Sequence, residues 1–184
     1  MPKLYLVRHG EAAAAWTEET DPGLSIRGRE QARDMADALV QGLGAIPVLT
    51  SPMRRTRETA DALASRWGMG AEVEPAVGEV PSPEGTPLEE RGGWLRQVMD
   101  GRWPELPDGL VVWRDSVVAT LTSLPHDAVI VSHFVAINAA VGAADGDDRV
   151  VCFRPGYCSV TVLETEGSSL TVIERGAQAN TLVL

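Results

Sequence analysis

Apolar positions along the chain switch between two periods. Leu4 to Val7 is a short apolar run that stops at Arg8-His9, the signature of a buried strand. Past a loop carrying Asp21-Pro22-Gly23, Ser25 is placed as an N-cap. From Gly28, Ala32, Met35, Ala36, Leu39, Val40 and Leu43 recur at helical spacing until Gly42 and Gly44 close the element. Ile46 to Thr50 predicts a second strand. Ser51-Pro52 opens a second helix, with Ala60, Leu63 and Ala64 on one face and an end near Trp67-Gly68. Ala71 to Glu74 is a weaker third strand. Pro75 to Asp108 is irregular and rich in Pro, Gly and Glu, with a short helix over Leu88 to Met99. Leu110 to Leu124 reads as a helix with Val117, Val118, Leu121 and Leu124 inward. Ala128 to Ser132 is the best central strand, and Phe134 to Val141 returns to helix. Val150 to Phe153, Ser159 to Leu163 and Leu170 to Glu174 are read as strands, the last two joined in a hairpin through Glu166-Gly167-Ser168-Ser169.

Strands alternating with helices predict a three-layer α/β/α sandwich, its sheet mostly parallel and covered on both faces, with a C-terminal hairpin. Residues 75–108 are expected to form a small lid insertion, and 1–184 a single domain, since 184 residues sit close to the prior for one. A chain of that length buries enough surface to need no metal or disulfide staple. Cys152 and Cys158 lie far from any Cys/His cluster, which excludes a disulfide framework and a zinc module. No apolar run approaches a membrane span, and residues 1–7 lack the pattern of a signal peptide. The expected location is the cytoplasm. A net charge of −10 argues against nucleic acid as a partner. Lys3 is the only lysine, so any phosphate site must be built from arginine, with its planar fork of donors.

Ligands of open α/β sheets bind beyond the carboxyl ends of the strands. Here those ends carry Arg8-His9, Ser51 followed by Arg54-Arg55, and His133, with Glu79 shortly after the third strand. Two histidines and several arginines converging on one crevice fit an anion site better than a packed core, because buried cations are costly without an anion.

Arg8-His9-Gly10-Glu11 resembles the signature of the histidine phosphatase superfamily, the phosphoglycerate-mutase-like proteins. The likeness continues through Leu24-Ser25-Ile26-Arg27-Gly28-Arg29-Glu30-Gln31-Ala32, Ser51-Pro52-Met53-Arg54-Arg55-Thr56-Arg57-Glu58-Thr59-Ala60 and Val129-Ile130-Val131-Ser132-His133. Four ordered segments are far more specific than the tetrapeptide alone. The resemblance implies His9 as a nucleophile that carries the phosphoryl group, its other ring nitrogen held by a backbone acceptor. It implies Arg8, Arg55 and His133 as donors to the phosphoryl oxygens, with Gly10 and Phe134 also contributing to substrate binding. In this alignment Arg54 is a solvated helix residue. Glu79 is implied as acid and base, with Glu74, Glu84, Glu89 and Glu90 as competitors nearby. No metal and no cofactor is implied.

Two departures bear on the activity. Phe134 stands where many relatives have glycine, and Ala15, in Ala12-Ala13-Ala14-Ala15, stands where many mutase-like members have asparagine. The leading expectation is a metal-independent phosphatase for a small phosphorylated metabolite or a phosphoprotein. A mutase, a phosphohistidine protein phosphatase and a non-catalytic phosphate-binding module are the alternatives. His126 is expected in a surface turn. Trp67, Trp94, Trp103 and Trp113 are expected in core or lid packing, with Trp94 or Trp103 as a candidate wall of the substrate pocket. Nothing in the sequence marks an oligomer interface.

Overall fold

The computed structural model describes residues 1–15 and 18–179. The strands are β1 (Lys3–Arg8), β2 (Val48–Thr50), β3 (Glu72–Val73), β4 (Ala128–Ser132), β5 (Val160–Glu166) and β6 (Ser169–Glu174). The α-helices are α1 (Ile26–Gly42), α2 (Arg54–Ala64), α3 (Leu88–Met99), α4 (Asp108–Thr122) and α5 (Phe134–Asp145). The strands form one sheet in the order β3-β2-β4-β1-β5-β6. The first four in that order run parallel, and β5 and β6 are antiparallel. The hairpin between β5 and β6 turns at Gly167, whose φ of 60° is open to glycine at no steric cost.

Side-chain alternation along the strands fills both faces. Leu4 and Leu6 of β1 and Ala128 and Ile130 of β4 pack with Val117 and Leu121 of α4 and Ile137 and Val141 of α5. Val7, Val129 and Val131 face the opposite way, against Met35, Ala36 and Leu39 of α1 and Ala60, Leu63 and Ala64 of α2. The result is the expected helix–sheet–helix sandwich. Ser25 caps α1 as expected: its Oγ accepts from the Gly28 N–H at 2.9 Å.

Several elements differ from the sequence reading. Val150 to Phe153 is not a strand. Asn138, fully buried in α5, accepts from both the Cys152 and Phe153 N–H groups at 2.9 and 3.1 Å, and the Val150 N–H goes to the Gly101 carbonyl. With those donors taken, the segment has no ladder to join. β2 begins after Pro47, which lacks an N–H for a central strand. Residues 75–108 wrap the start of α5: Val80, Leu95, Val98 and Trp103 close a third apolar cluster with Phe134, Val135 and Ala139. Among the described residues, no helix is long and apolar enough to cross a membrane.

Candidate active site

The register of β1 against β4 brings the two histidines together. Arg8 pairs with Ser132 at the carboxyl ends of these parallel neighbours, and the His9 N–H donates to the Ser132 carbonyl at 3.1 Å. His9 and His133 therefore leave the sheet side by side, ring centroids 5.2 Å apart. β2 ends in the same plane, where the Ser51 N–H binds the Val131 carbonyl, and the turn from Ser51 feeds the first residues of α2. That turn places Arg55 between the rings. Its Nε donates to His9 Nε2 at 3.2 Å and its Nη2 to His133 Nδ1 at 3.3 Å.

The donors fix the protons on both rings. His9 Nδ1 lies 2.7 Å from the Gly10 carbonyl, which only accepts, so Nδ1 carries the hydrogen and Nε2 presents its lone pair. Burial, then the charges of Arg55 and Arg8, hold His9 well below the usual imidazole value, so the ring stays neutral. His133 Nδ1 accepts from Arg55. Its Nε2 therefore donates to Ser51 Oγ at 2.7 Å, and Ser51 is linked in turn to Thr56 Oγ1 at 2.8 Å. Burial and Arg55 also keep His133 well below the usual imidazole range.

Arg8 is 2% exposed and Arg55 is 6% exposed. Arg8 Nη1 donates to the Pro155 carbonyl at 2.9 Å, and its guanidinium lies 4.0 Å from the Tyr157 ring centroid and 5.2 Å from that of Phe134. Burial lowers the proton affinity of both guanidinium groups, and Glu79 opposes the effect at each. Arg8 Nε and Arg55 Nη1 are buried with no acceptor among the described residues. Two buried cations, each with an orphaned donor, share a cleft with the His9 lone pair, an arrangement that can hold an anion with several oxygens.

Glu79 lines the same cleft, together with Ala12, Ala14, Pro22, Leu95, Phe134 and Tyr157. Burial raises its carboxyl above the usual range, although the backbone N–H groups of Val80 and Val135 and the charges of Arg55 and Arg8 pull it back. Its competitors lie elsewhere. Glu84, Glu89 and Glu90 are exposed, and Glu74 caps a short turn by accepting from the Ala76 N–H.

The remaining expectations separate on geometry. Arg54 is exposed and paired with Glu58 at 2.8 Å, and His126 is exposed. The Gly10 N–H is taken by Thr59 Oγ1 and its carbonyl by His9, so this glycine meets the site through His9. It also lies against Gly28, where a Cβ on Gly10 would come within 2.6 Å of the carbonyl oxygen. His133 is fully buried behind Arg55 rather than on the cleft wall. Neither Trp94 nor Trp103 walls the cleft: Trp103 is a core residue, and Leu95, not Trp94, faces the site. Ala12 and Ala14 line the cleft, whereas Ala15 does not.

Tyr157 and Pro155 escaped the sequence reading, and Thr59 entered it only as part of the segment from Ser51 to Ala60. A signal for the first two was present. Pro155-Gly156 marks a turn into the strand that pairs with β1, which puts that turn beside Arg8.

A sequence model of the histidine phosphatase superfamily (branch 1) matches residues 4–177. Among curated relatives, a probable phosphoglycerate mutase GpmB of Escherichia coli O1:K1 / APEC is 31% identical over 168 residues, 79% of this chain and 76% of the relative. Its counterpart in Enterobacter sp. (strain 638) is 28% identical over 166 residues, with the same two shares. A mycobacterial glucosyl-3-phosphoglycerate phosphatase superposes with a TM-score of 0.75 at 21% identity, over 97% of this chain and 100% of that one. A putative alpha-ribazole-5'-P phosphatase from Escherichia coli K-12 superposes with a TM-score of 0.76 at 18% identity, over 99% and 100%. The fold, the four ordered segments and the match over nearly the whole length agree: the chain belongs to the histidine phosphatase superfamily, branch 1.

Proposed function

We propose that the protein is a phosphomonoesterase that works through a phosphohistidine on Nε2 of His9. The observation that carries this reading is the His9 ring itself, its Nδ1 hydrogen tied to the Gly10 carbonyl and its Nε2 facing Arg55 in a cleft shared with Arg8, both arginines keeping an unused donor. On binding, the phosphoryl oxygens take over the N–H groups of Arg55, which frees the Nε2 lone pair for in-line attack. Arg8 and Arg55 stabilise the charge that develops on those oxygens. His133 acts through Arg55, whose guanidinium it positions by accepting at Nδ1. Glu79, protonated at the outset, gives its proton to the departing alkoxide. As a carboxylate it then takes one from the water that cleaves the N–P bond, which leaves His9 neutral and releases inorganic phosphate.

Hydrolysis is favoured over the mutase reading by the charges in the cleft. A mutase for phosphoglycerate must hold a carboxylate while the phosphoryl group moves. Among the lining residues the cations are Arg8 and Arg55, both committed to the phosphoryl position. The depth of His9, 8% exposed, favours a small ester over a phosphohistidine on a folded partner. The deciding assay is a panel of phosphomonoesters with both products followed. Inorganic phosphate formed one-for-one with free alcohol is the expected result, and an isomeric phosphoester would establish the mutase instead.

EDTA is expected to leave the rate unchanged, because the arginines supply the countercharge that magnesium supplies elsewhere. Among the described residues, no three His, Cys, Asp or Glu side chains gather as metal ligands. Loss of activity on chelation, restored by Mg²⁺ or Zn²⁺, would contradict this.

Glu79→Gln is expected to slow alkyl phosphates by about 10²–10⁴-fold in the phosphoryl-transfer step. Nitrophenyl phosphate, whose leaving group needs little protonation, should transfer far less slowly. The raised Glu79 carboxyl adds a pH signature. The acid form is the active one in this step, so the alkyl rate falls as pH rises through its value, and the limb vanishes in Glu79→Gln. Since His9 is held neutral, it imposes no acid limb within the usual imidazole range. The pre-steady-state burst, measured against pH for both esters, checks these statements. An alkyl-to-aryl ratio unaffected by the substitution would assign the proton to another group.

A further inference from the structure

The cleft has two chemically distinct ends. Its floor is the cationic cradle of Arg8, His9 and Arg55. In-line attack by His9 directs the leaving group away from that floor, towards the mouth. The rest of the lining is Ala12, Ala14, Pro22, Leu95, Phe134 and Tyr157, drawn from four separate parts of the chain.

This wall is built, not incidental. Residues 11–13 pair back onto 23–25: Ala12 bridges Leu24, the Ala13 N–H donates to the Gly23 carbonyl, and the Ser25 N–H donates to that of Glu11. Ala12 and Ala14 both line the cleft. The lid supplies Leu95, 8% exposed, from the apolar cluster it shares with Phe134. Tyr157, 5.9 Å from the His9 ring, completes the wall beside the nucleophile.

Charge is absent from that wall except at Glu79, which repels anions when ionised. The residues outside the described set, Trp16, Thr17 and 180–184, contain no basic side chain. A carboxylate or second phosphate on the leaving group therefore finds no countercharge here, and its burial is costly. A polyol finds few hydrogen-bond partners. An apolar body, by contrast, finds methyl, leucyl and aromatic surface.

Resting on the phosphatase reading above, we infer that the mouth of the cleft is a subsite for an uncharged, apolar leaving group. The substrate class is the monophosphate ester of an aliphatic or aromatic alcohol, rather than a phosphorylated acid or sugar.

The test uses phosphonates, which the enzyme cannot hydrolyse, so that binding is read apart from turnover. Affinities of inorganic phosphate and of methyl-, propyl-, butyl-, benzyl- and 2-carboxyethylphosphonate are measured by calorimetry on the wild-type chain. Affinity is expected to rise about fourfold for each methylene buried. The carboxyethyl compound should bind about tenfold or more weakly than the propyl compound of similar length. In Ala14→Lys, which puts a cation on the rim, the propyl-to-carboxyethyl ratio should collapse towards one. Butyl- and benzylphosphonate no tighter than methylphosphonate, or a carboxyethyl compound equal to the propyl one, would overturn the inference. Inorganic phosphate that fails to bind would instead remove the functional reading beneath it.

Discussion

His9→Ala is expected to lower turnover by about 10⁴- to 10⁶-fold, the scale on which removal of a covalent nucleophile acts. The size follows from the surroundings of His9. Ser51 Oγ and Thr56 Oγ1 are buried and linked to each other, and His133 points its one N–H at Ser51. None of them lines the cleft that Arg8 and Arg55 share. Quenching during turnover should trap one phosphate per chain, labile in acid and stable in base, on Nε2 of His9 rather than Nδ1, because Nδ1 is bound to the Gly10 carbonyl. Label on Ser51 or Ser132, or on Nδ1, would refute the proposed mechanism. The same variant should still bind inorganic phosphate through Arg8 and Arg55, which separates loss of the nucleophile from loss of the pocket.

The convergence of Arg8, His9, Arg55 and His133 was legible because period and topology act together. Unbroken apolar runs in β1 and β4 specify two buried parallel strands, and a polar residue just past each carboxyl end falls on one rim. Glu79 was harder. Five glutamates compete in composition alone, and burial separates them: one lines the cleft, three are exposed and one caps a turn. Burial in an irregular segment has no period to read. The same limit hid Leu95 behind the more conspicuous Trp94. Val150 to Phe153 has the composition of a strand, yet Asn138 claims its backbone donors from 14 and 15 residues away. Long-range capture of that kind leaves no local mark. Tyr157 was missed for a different reason. Its place beside Arg8 depends on β5 pairing with β1 in antiparallel register, a choice made by the whole sheet.

The adjacent arginines of α2 provide the sharpest contrast between neighbours. Arg55→Ala is expected to cost about 2.7–4 kcal/mol of transition-state stabilisation, the scale for losing one preorganised oxyanion donor. Arg54→Ala should cost less than about 1 kcal/mol, as for an exposed ion pair. One residue of offset along a helix turns the side chain by about a quarter of a circle. Arg54 accordingly faces solvent with its Nε on Glu58, and Arg55 faces the cleft. Arg55→Lys should recover little of the loss. The three nitrogens of Arg55 have three tasks: Nε meets His9, Nη2 meets His133, and Nη1 is left for the ligand. A lysine ammonium keeps the charge but is a single point, and it cannot reproduce that fork. The comparison is kcat/KM for one aryl phosphate across wild type, Arg54→Ala, Arg55→Ala and Arg55→Lys, with inorganic phosphate affinity read in parallel. A larger loss at Arg54 than at Arg55, or full rescue by lysine, would show that charge alone, and not the shaped set of donors, holds the phosphoryl group.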